Sequence, residues 1–263
     1  MTTEARRSAV RVLVAVVLAA AVTAAAAGCA DAGDAEPEHR TFALGNPEKA
    51  EKAVEAGKPL VVDTNGDLEL VAADRSDVRV TRWFAGYAYG GSTGAKWSLK
   101  DGTLTLRTAC KGPANCDIRH RVELPEGLAL RVENDNGDVT ARGFRGALGV
   151  VSDNGDVRVR DSSGPLDLFS DNGSVRATGV GSRRVSAKSD NGGIELALAR
   201  VPDRVAARSD NGDVTVELPR AAYRVDATSG DGDTEVAVDR DRAGKRVVSA
   251  HSDNGDVTVR NVN

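Results

Sequence analysis

The strongest constraint on this chain is a turn signal that recurs at near-constant spacing. Ser-Asp-Asn-Gly stands at 152–155, 170–173, 189–192, 209–212 and 252–255, with variants at 63–66, 134–137 and 229–232. The glycines Gly137, Gly155, Gly173, Gly192, Gly212, Gly232 and Gly255 are 18, 18, 19, 20, 20 and 23 residues apart. A period in this range marks a repeat architecture, in which each unit buries its apolar face against the next.

The flanks of the turn alternate. Two and four residues after the glycine the chain is apolar, as at Val157/Val159, Ile194/Leu196 and Val257/Val259, with Thr234 the one exception. Seven and five residues before it the chain is apolar again, as at Leu148/Val150, Leu166/Leu168 and Val205/Ala207. Period-two alternation marks strands with one buried face. Apolar residues make up 40% of the chain and aromatics only 3%, so the core must be thin and aliphatic. The turn-forming pairs are Asn136-Gly137, Asn154-Gly155, Asn172-Gly173, Asn191-Gly192, Asn211-Gly212 and Asn254-Gly255. Glycine is expected there because such a turn needs φ > 0, and Asn tolerates the neighbouring left-handed region.

Two architectures fit. In an antiparallel meander each Asn-Gly is a hairpin tip. In a parallel β-helix, or β-solenoid, each is the corner of one coil. The near-identity of the repeats favours the solenoid, because equivalent residues of successive coils then lie directly over one another, about 4.8 Å apart. The expected fold is therefore all-β: a parallel β-helix of about 18–20 residues per coil over residues 58–263.

The N-terminus reads as an export signal. Arg6, Arg7 and Arg11 precede an apolar run from Val12 to Ala27, broken only by Thr23. Those 16 residues are short for a membrane span and suit a signal peptide. The run ends in Ala26-Ala27-Gly28-Cys29, which resembles the lipobox of bacterial lipoproteins. The resemblance implies a signal peptide at 1–28 and a lipid on Cys29. Ala26 departs from the usual leucine of that motif, and Arg6-Arg7 leaves twin-arginine export open beside the general route. Residues 30–57 are polar, with Pro37 and Pro47, and read as a flexible tether in which Pro47 to Ala56 suits a short helix. Removing residues 1–28 takes away three of 35 bases and one of 39 acids, changing the net charge from −4 to −6. That balance disfavours nucleic acid and any general attraction to an anionic membrane, so attachment must be covalent.

The repeats Asp-Asn-Gly-Asp-Val-x-Val, together with Cys110–Cys116 and the following Arg121-Val122-Glu123-Leu124-Pro125-Glu126-Gly127, resemble the DUF4097 family of adhesin-like bacterial β-strand-repeat proteins. The resemblance covers about residues 58–263. It implies a right-handed parallel β-helix and an envelope location, and it carries over no catalytic residues.

Cys110 and Cys116 flank Lys-Gly-Pro-Ala-Asn. Outside the cytoplasm such a pair reads as a disulfide tying off an insertion near 107–120, with a metal pair the rival and only His120 nearby. Gly90-Gly91-Ser92-Thr93-Gly94 fits the nucleophile-elbow pattern, but that motif needs a strand-turn-helix and the flanks here alternate as strands. Trp83, Phe84, Tyr87, Tyr89 and Trp97 are five of the nine aromatics. They either close the open end of the solenoid or form a binding surface for a glycan or partner protein. Asp135, Asp153, Asp171, Asp190, Asp210, Asp231 and Asp253 precede the turns. Stacked, they would form a carboxylate row able to take calcium, unless each bonds its own turn backbone. Acids at equivalent positions in every repeat look like scaffold, whereas a polysaccharide lyase needs a one-off cluster.

The sequence thus points to a non-enzymatic, membrane-anchored envelope protein, an adhesin-like scaffold for a cell-wall glycan or an exported protein. Its alternatives are an accessory of envelope-stress signalling and, further off, a carbohydrate-active β-helix enzyme. Replacing Cys29 with Ser should abolish incorporation of labelled palmitate and shift the chain from the membrane fraction to the soluble one.

Overall fold

The computed structural model of the chain describes residues 35–44 and 58–262. The signal segment, Cys29 and the helix expected at 47–56 lie outside the described residues. All the regular elements described are strands. The first seven are β1 (Glu38–Ala43), β2 (Leu60–Thr64), β3 (Asp67–Ala73), β4 (Asp77–Ala88), β5 (Ala95–Lys100), β6 (Thr103–Thr108) and β7 (Ala114–Pro125). The repeats supply β8 (Leu130–Asn136), β9 (Val139–Arg142), β10 (Leu148–Asn154), β11 (Val157–Arg160), β12 (Leu166–Asn172), β13 (Val175–Val180), β14 (Arg184–Asn191) and β15 (Ile194–Leu198). The last six are β16 (Arg204–Asn211), β17 (Val214–Leu218), β18 (Arg224–Asp231), β19 (Thr234–Ala237), β20 (Val247–Asn254) and β21 (Val257–Asn261).

These strands form two facing sheets, ordered β1-β4-β7-β3-β9-β11-β13-β15-β17-β21-β19 and β18-β20-β16-β14-β12-β10-β8-β2-β6-β5. From β8 to β17 each coil contributes one strand to each sheet. Neighbouring coils pair in parallel and in register: Leu148 lies against Leu130 and Leu166, and Val157 against Val139 and Val175. The repeats are therefore a solenoid-like stack and not a meander of hairpins. The alternation buries one aliphatic column from each sheet, such as Leu130, Leu148, Leu166 and Val185 facing Val139, Val157, Val175 and Ile194.

Three side-chain ladders hold the Asn-Gly corner. Inside it, the hydroxyls of Ser170, Ser189, Ser209 and Ser252 each donate to the carbonyl of the turn glycine in the adjoining coil, at 2.8–2.9 Å. Outside it, Nδ2 of Asn154, Asn172, Asn191, Asn211 and Asn254 donates to Oδ1 of the asparagine in the adjoining coil, at 3.1–3.4 Å. The aspartate after the glycine forms the third. Oδ1 of Asp138 accepts from the amide of Asp156, Asp156 from Ser174, and Asp213 from Asp256. In this column, for which the sequence suggested no partner, the bond goes to the next coil, because stacking at strand spacing brings that amide within reach.

The reason for glycine is corrected. Gly137, Gly155, Gly212, Gly232 and Gly255 do have positive φ, but Gly173 and Gly192 do not. What all these turns share is close approach. A Cβ on Gly155 would stand 2.0 Å from the carbonyl oxygen of Gly137, on Gly173 2.2 Å from that of Gly155, and on Gly192 2.4 Å from that of Gly173.

At the ends, stacking order departs from the chain order expected of a simple solenoid. The last coil, β20–β21, lies between β16–β17 and β18–β19, and the coil β2–β3 lies between β6–β7 and β8–β9. The C-terminal exchange has a chemical reason. Asn254 can donate to Asn211 and extend the ladder, whereas a carboxylate cannot donate and Asp231 would break it there. The exchange also places the aliphatic Val248, Ala250, Val257 and Val259 wholly inside. The coil with exposed Thr234 and only partly buried Val225 and Val236 is left on the rim. Asp226 and Glu235 on those rim strands discourage pairing with another sheet edge. The opposite end is covered by antiparallel strands, β4 on β7, β1 on β4 and β5 on β6. Part of the stretch read as tether is therefore structured: Glu38–Ala43 is a strand, and Phe42 packs against the core.

Gly173→Ala should destabilise the fold by about 2–3 kcal/mol through this backbone overlap. Gly149→Ala should be near neutral, since a Cβ there meets nothing closer than 3.9 Å. Urea unfolding of the two variants checks the contrast.

Candidate binding face

The antiparallel ribbon of β4 and β7 builds the one-off surface of this otherwise repetitive protein. Its register runs from Arg79 opposite Glu123 to Ala88 opposite Ala114. Val78, Val80 and Arg82 point inward and are buried. Alternation then turns Arg79, Thr81, Trp83, Ala85 and Tyr87 to the outer face, where Thr81 is itself buried beside His39. Past Phe84 and Ile118 the ribbon leaves the core and continues as an arm, on which Tyr87 is 45% and Tyr89 75% exposed.

The arm is braced. A disulfide joins Cys110 to Cys116, as the sequence suggested, and Ser92 bridges to Lys111. Gly86 lies over that disulfide; a Cβ there would stand 3.0 Å from the Phe84 ring and 3.2 Å from Cys116 Sγ. Tyr87 and Tyr89 meet edge to face, with ring centroids 5.8 Å apart.

The five clustered aromatics divide. Trp97 packs against the core with the Arg82 guanidinium 4.1 Å over its ring, and Phe84 lies half-buried on the inner side of the ribbon. These two help close the end of the stack. Trp83, Tyr87 and Tyr89 lie on the outer face, and the Arg119 guanidinium sits 4.5 Å over Trp83.

Beside Trp83 the outer face is hollowed into a shallow trough lined by His39, Thr41, Arg79, Thr81, Arg121 and Glu123. Its charges are matched. Glu123 takes Arg75 at 2.9 Å and both Arg79 and Arg121 at 3.7 Å, and Arg121 reaches Glu69 at 3.1 Å. His39 Nδ1 is 3.0 Å from the Thr81 hydroxyl. Sequence reasoning passed over all of these except Trp83. His39 and Thr41 sat in the supposed tether, and Arg121 and Glu123 entered only as part of the segment that carries the family resemblance. The available signal was the alternation through 77–88, whose outward positions run Arg, Thr, Trp, Ala, Tyr.

Behind this face Arg82 is buried, donating to the Glu38 carboxylate at 2.5 Å and to the Ala95 carbonyl at 3.3 Å, which ties β1 and the start of β5 to β4. Its cross-strand neighbour His120 is completely buried, and neither ring nitrogen has a hydrogen-bond partner. Desolvation, helped by the Arg82 charge, lowers the His120 pKa to about 4.

The other candidates do not assemble chemistry. Ser92 sits in a strand-loop-strand tip. Of the three histidines, His39 bonds Thr81, His120 is sealed in the core, and His251 bonds Thr228 and Asp253. Of the aspartates before the turns, Asp135, Asp190, Asp210 and Asp253 take cations from the protein itself, while Asp231, counted in that row from the sequence, stands in the asparagine column beside Asn254. Asp135 pairs with Arg107, Asp190 with Lys188, and Asp253 with Arg208. Crowding shows at Asp171, whose carboxyl is pushed up by desolvation, a hydrogen bond to Asp190 and the charges of Asp190 and Asp153. Among the described residues no three His, Cys, Asp or Glu side chains converge as a metal site. The turn pairs of Asn and Gly are structural at every level.

The described residues form a repeat scaffold with ladder-built corners and one braced aromatic arm. The chain belongs to the DUF4097 family: the Toastrack DUF4097 family model matches residues 119–260. Among solved structures it is similar to a candidate adhesin from Bacteroides fragilis NCTC 9343, at 16% identity and a TM-score of 0.41, over 86% of this chain and 97% of that one. A candidate adhesin from Parabacteroides distasonis ATCC 8503 matches at 14% identity and a TM-score of 0.43, over 88% and 98%. A candidate cell adhesion protein from Clostridium sporogenes ATCC 15579 matches at 13% identity and a TM-score of 0.29, over 86% and 100%. No curated protein matches the chain.

The buried imidazole makes stability depend on pH. An unfolded chain protonates His120 near its ordinary pKa of 6.5, whereas the folded protein resists until about 4. Between those values the unfolded state binds more protons, so stability falls as pH falls through this window, by about 3 kcal/mol in total. Denaturant unfolding from pH 7 to 4 should show that loss, and His120→Leu should flatten it.

Proposed function

We propose that this protein is a non-enzymatic binding scaffold of the cell exterior, held to the membrane by a lipid on Cys29 and presenting its braced arm to a partner. One observation carries the proposal: Tyr87 and Tyr89 are large aromatics held in the open at the tip of a disulfide-tied ribbon. Exposing such rings is unfavourable in water, and rigid aromatics with a polar handle are the side chains that most often anchor an interface. Lipobox, disulfide and family membership all agree with an extracytoplasmic place of work. An adhesin-like role follows from presentation. The stack acts as a stiff spacer, and many of its repeated acids are engaged in internal ladders and ion pairs. Nothing in the face favours the envelope-stress alternative over direct binding.

The test is binding of the purified protein to isolated envelope material. Tyr87→Ala combined with Tyr89→Ala should lower retention by roughly tenfold, at a cost in thermal stability of no more than about 1 kcal/mol, because both rings are exposed. Undiminished retention would remove the arm from the proposal.

A further inference from the structure

We infer that the outer face of β4 is a binding site for an extended, uncharged glycan chain, lying in the trough beside Trp83 and running out along the arm to Tyr87. This rests on the reading of the protein as an exterior binding scaffold and assigns the ligand class. Three observations carry it.

The first is shape. Arg79, Thr81, Trp83, Ala85 and Tyr87 occupy one face of one strand, so the path from the trough to the arm is straight and spans roughly 26 Å at the strand rise. That length suits a polymer of several rings. Ala85 leaves a low floor between the aromatic walls of Trp83 and Tyr87, and Asn115 and Asp117 lie across from Tyr87 and Ala85 on β7.

The second is stacking. Sugar rings present apolar C–H faces that lie against aromatic planes, while their hydroxyls reach polar groups at the rim. Tyr87 and Tyr89 supply exposed planes, and the half-buried Trp83 adds the one face that Arg119 does not cover. Arg119 lies 4.5 Å over the Trp83 ring, which fixes that ring in place and takes one of its two faces.

The third is charge. The trough carries arginines, yet each is already matched: Arg79 by Glu123, and Arg121 by Glu69 and Glu123. A polyanion would have to break these pairs to gain new ones. A hydroxyl can donate to Glu123 and accept from Arg121 at once, leaving the pairs in place. The matched network therefore selects a hydroxyl-rich neutral chain, and the overall negative charge of the protein works against an acidic one.

The experiment is calorimetric titration of the full chain, in mild detergent, with chitohexaose as the neutral probe and polygalacturonate as the anionic one. Chitohexaose should bind with an affinity that changes by less than about twofold as salt rises, because no net ion pairing is involved. Trp83→Ala should weaken it roughly tenfold or more, and Trp83→Phe should retain most of it. Thermal unfolding of each variant separates lost stacking from lost folding. Preference for polygalacturonate with strong salt dependence, equal binding by Trp83→Ala, or failure to bind chitohexaose would each overturn the inference. Should chitohexaose fail while envelope retention still depends on Tyr87 and Tyr89, the glycan assignment falls alone. If that dependence is absent too, the binding-scaffold reading falls with it.

Discussion

Adjacent coils meet so closely at the Asn-Gly corner that a methyl group on any of Gly155, Gly173, Gly192, Gly212, Gly232 or Gly255 would stand 2.0–2.6 Å from the backbone of its neighbour. The strand ladders set the pitch of the stack, and glycine lets the corners follow it. At this pitch serine hydroxyls reach carbonyls, asparagines reach asparagines, and carboxylates reach amides of the adjoining coil. Most polar groups of the turn are thereby satisfied by the adjoining coil, Ser152 Oγ being a buried exception. The same pitch brings Val over Val and Leu over Leu, which lets a core almost without aromatic rings pack densely from small aliphatic side chains.

A stack built by identity has a weakness at its ends, where the last coil lacks a partner. The two ends solve it differently. At the C-terminal rim the ladder stops because Asp231 stands where an asparagine would need to donate, Thr234 replaces the usual valine, and acidic residues line the edge strands. At the other end the chain abandons the repeat and lays antiparallel strands over the opening, locked by buried Arg82 reaching Glu38 and the Ala95 carbonyl. Departure from the repeat is what makes a unique surface available there. The cap, the arm and the trough are all consequences of closing one end.

The sequence announced the stack because every coil repeats the same local chemistry. Period-two alternation named the strands, and the recurrence of Ser-Asp-Asn-Gly named the corners. The extended partnership of Cys110 with Cys116 was also readable, since so few residues separate them. The trough was not. His39 and Thr41 are separated from Arg121 by about 80 residues and carry no motif, so only the pairing of β1 with β4, and β4 with β7, brings them together.

By itself, then, the sequence determined the strands of the repeats and their inward and outward faces, and favoured their parallel, in-register stacking over a meander, because these depend on alternation and on like meeting like. The tertiary structure alone decided the order of the coils at both ends, the true reason for each glycine and the identity of the outer-face residues around Trp83. Those depend on which coil is the better neighbour for which: Asn254 completes a ladder that Asp231 would break, and a buried aliphatic coil belongs inside a more polar one. Choices between near-equivalent repeats are made by contacts across the stack, which no stretch of adjacent residues records.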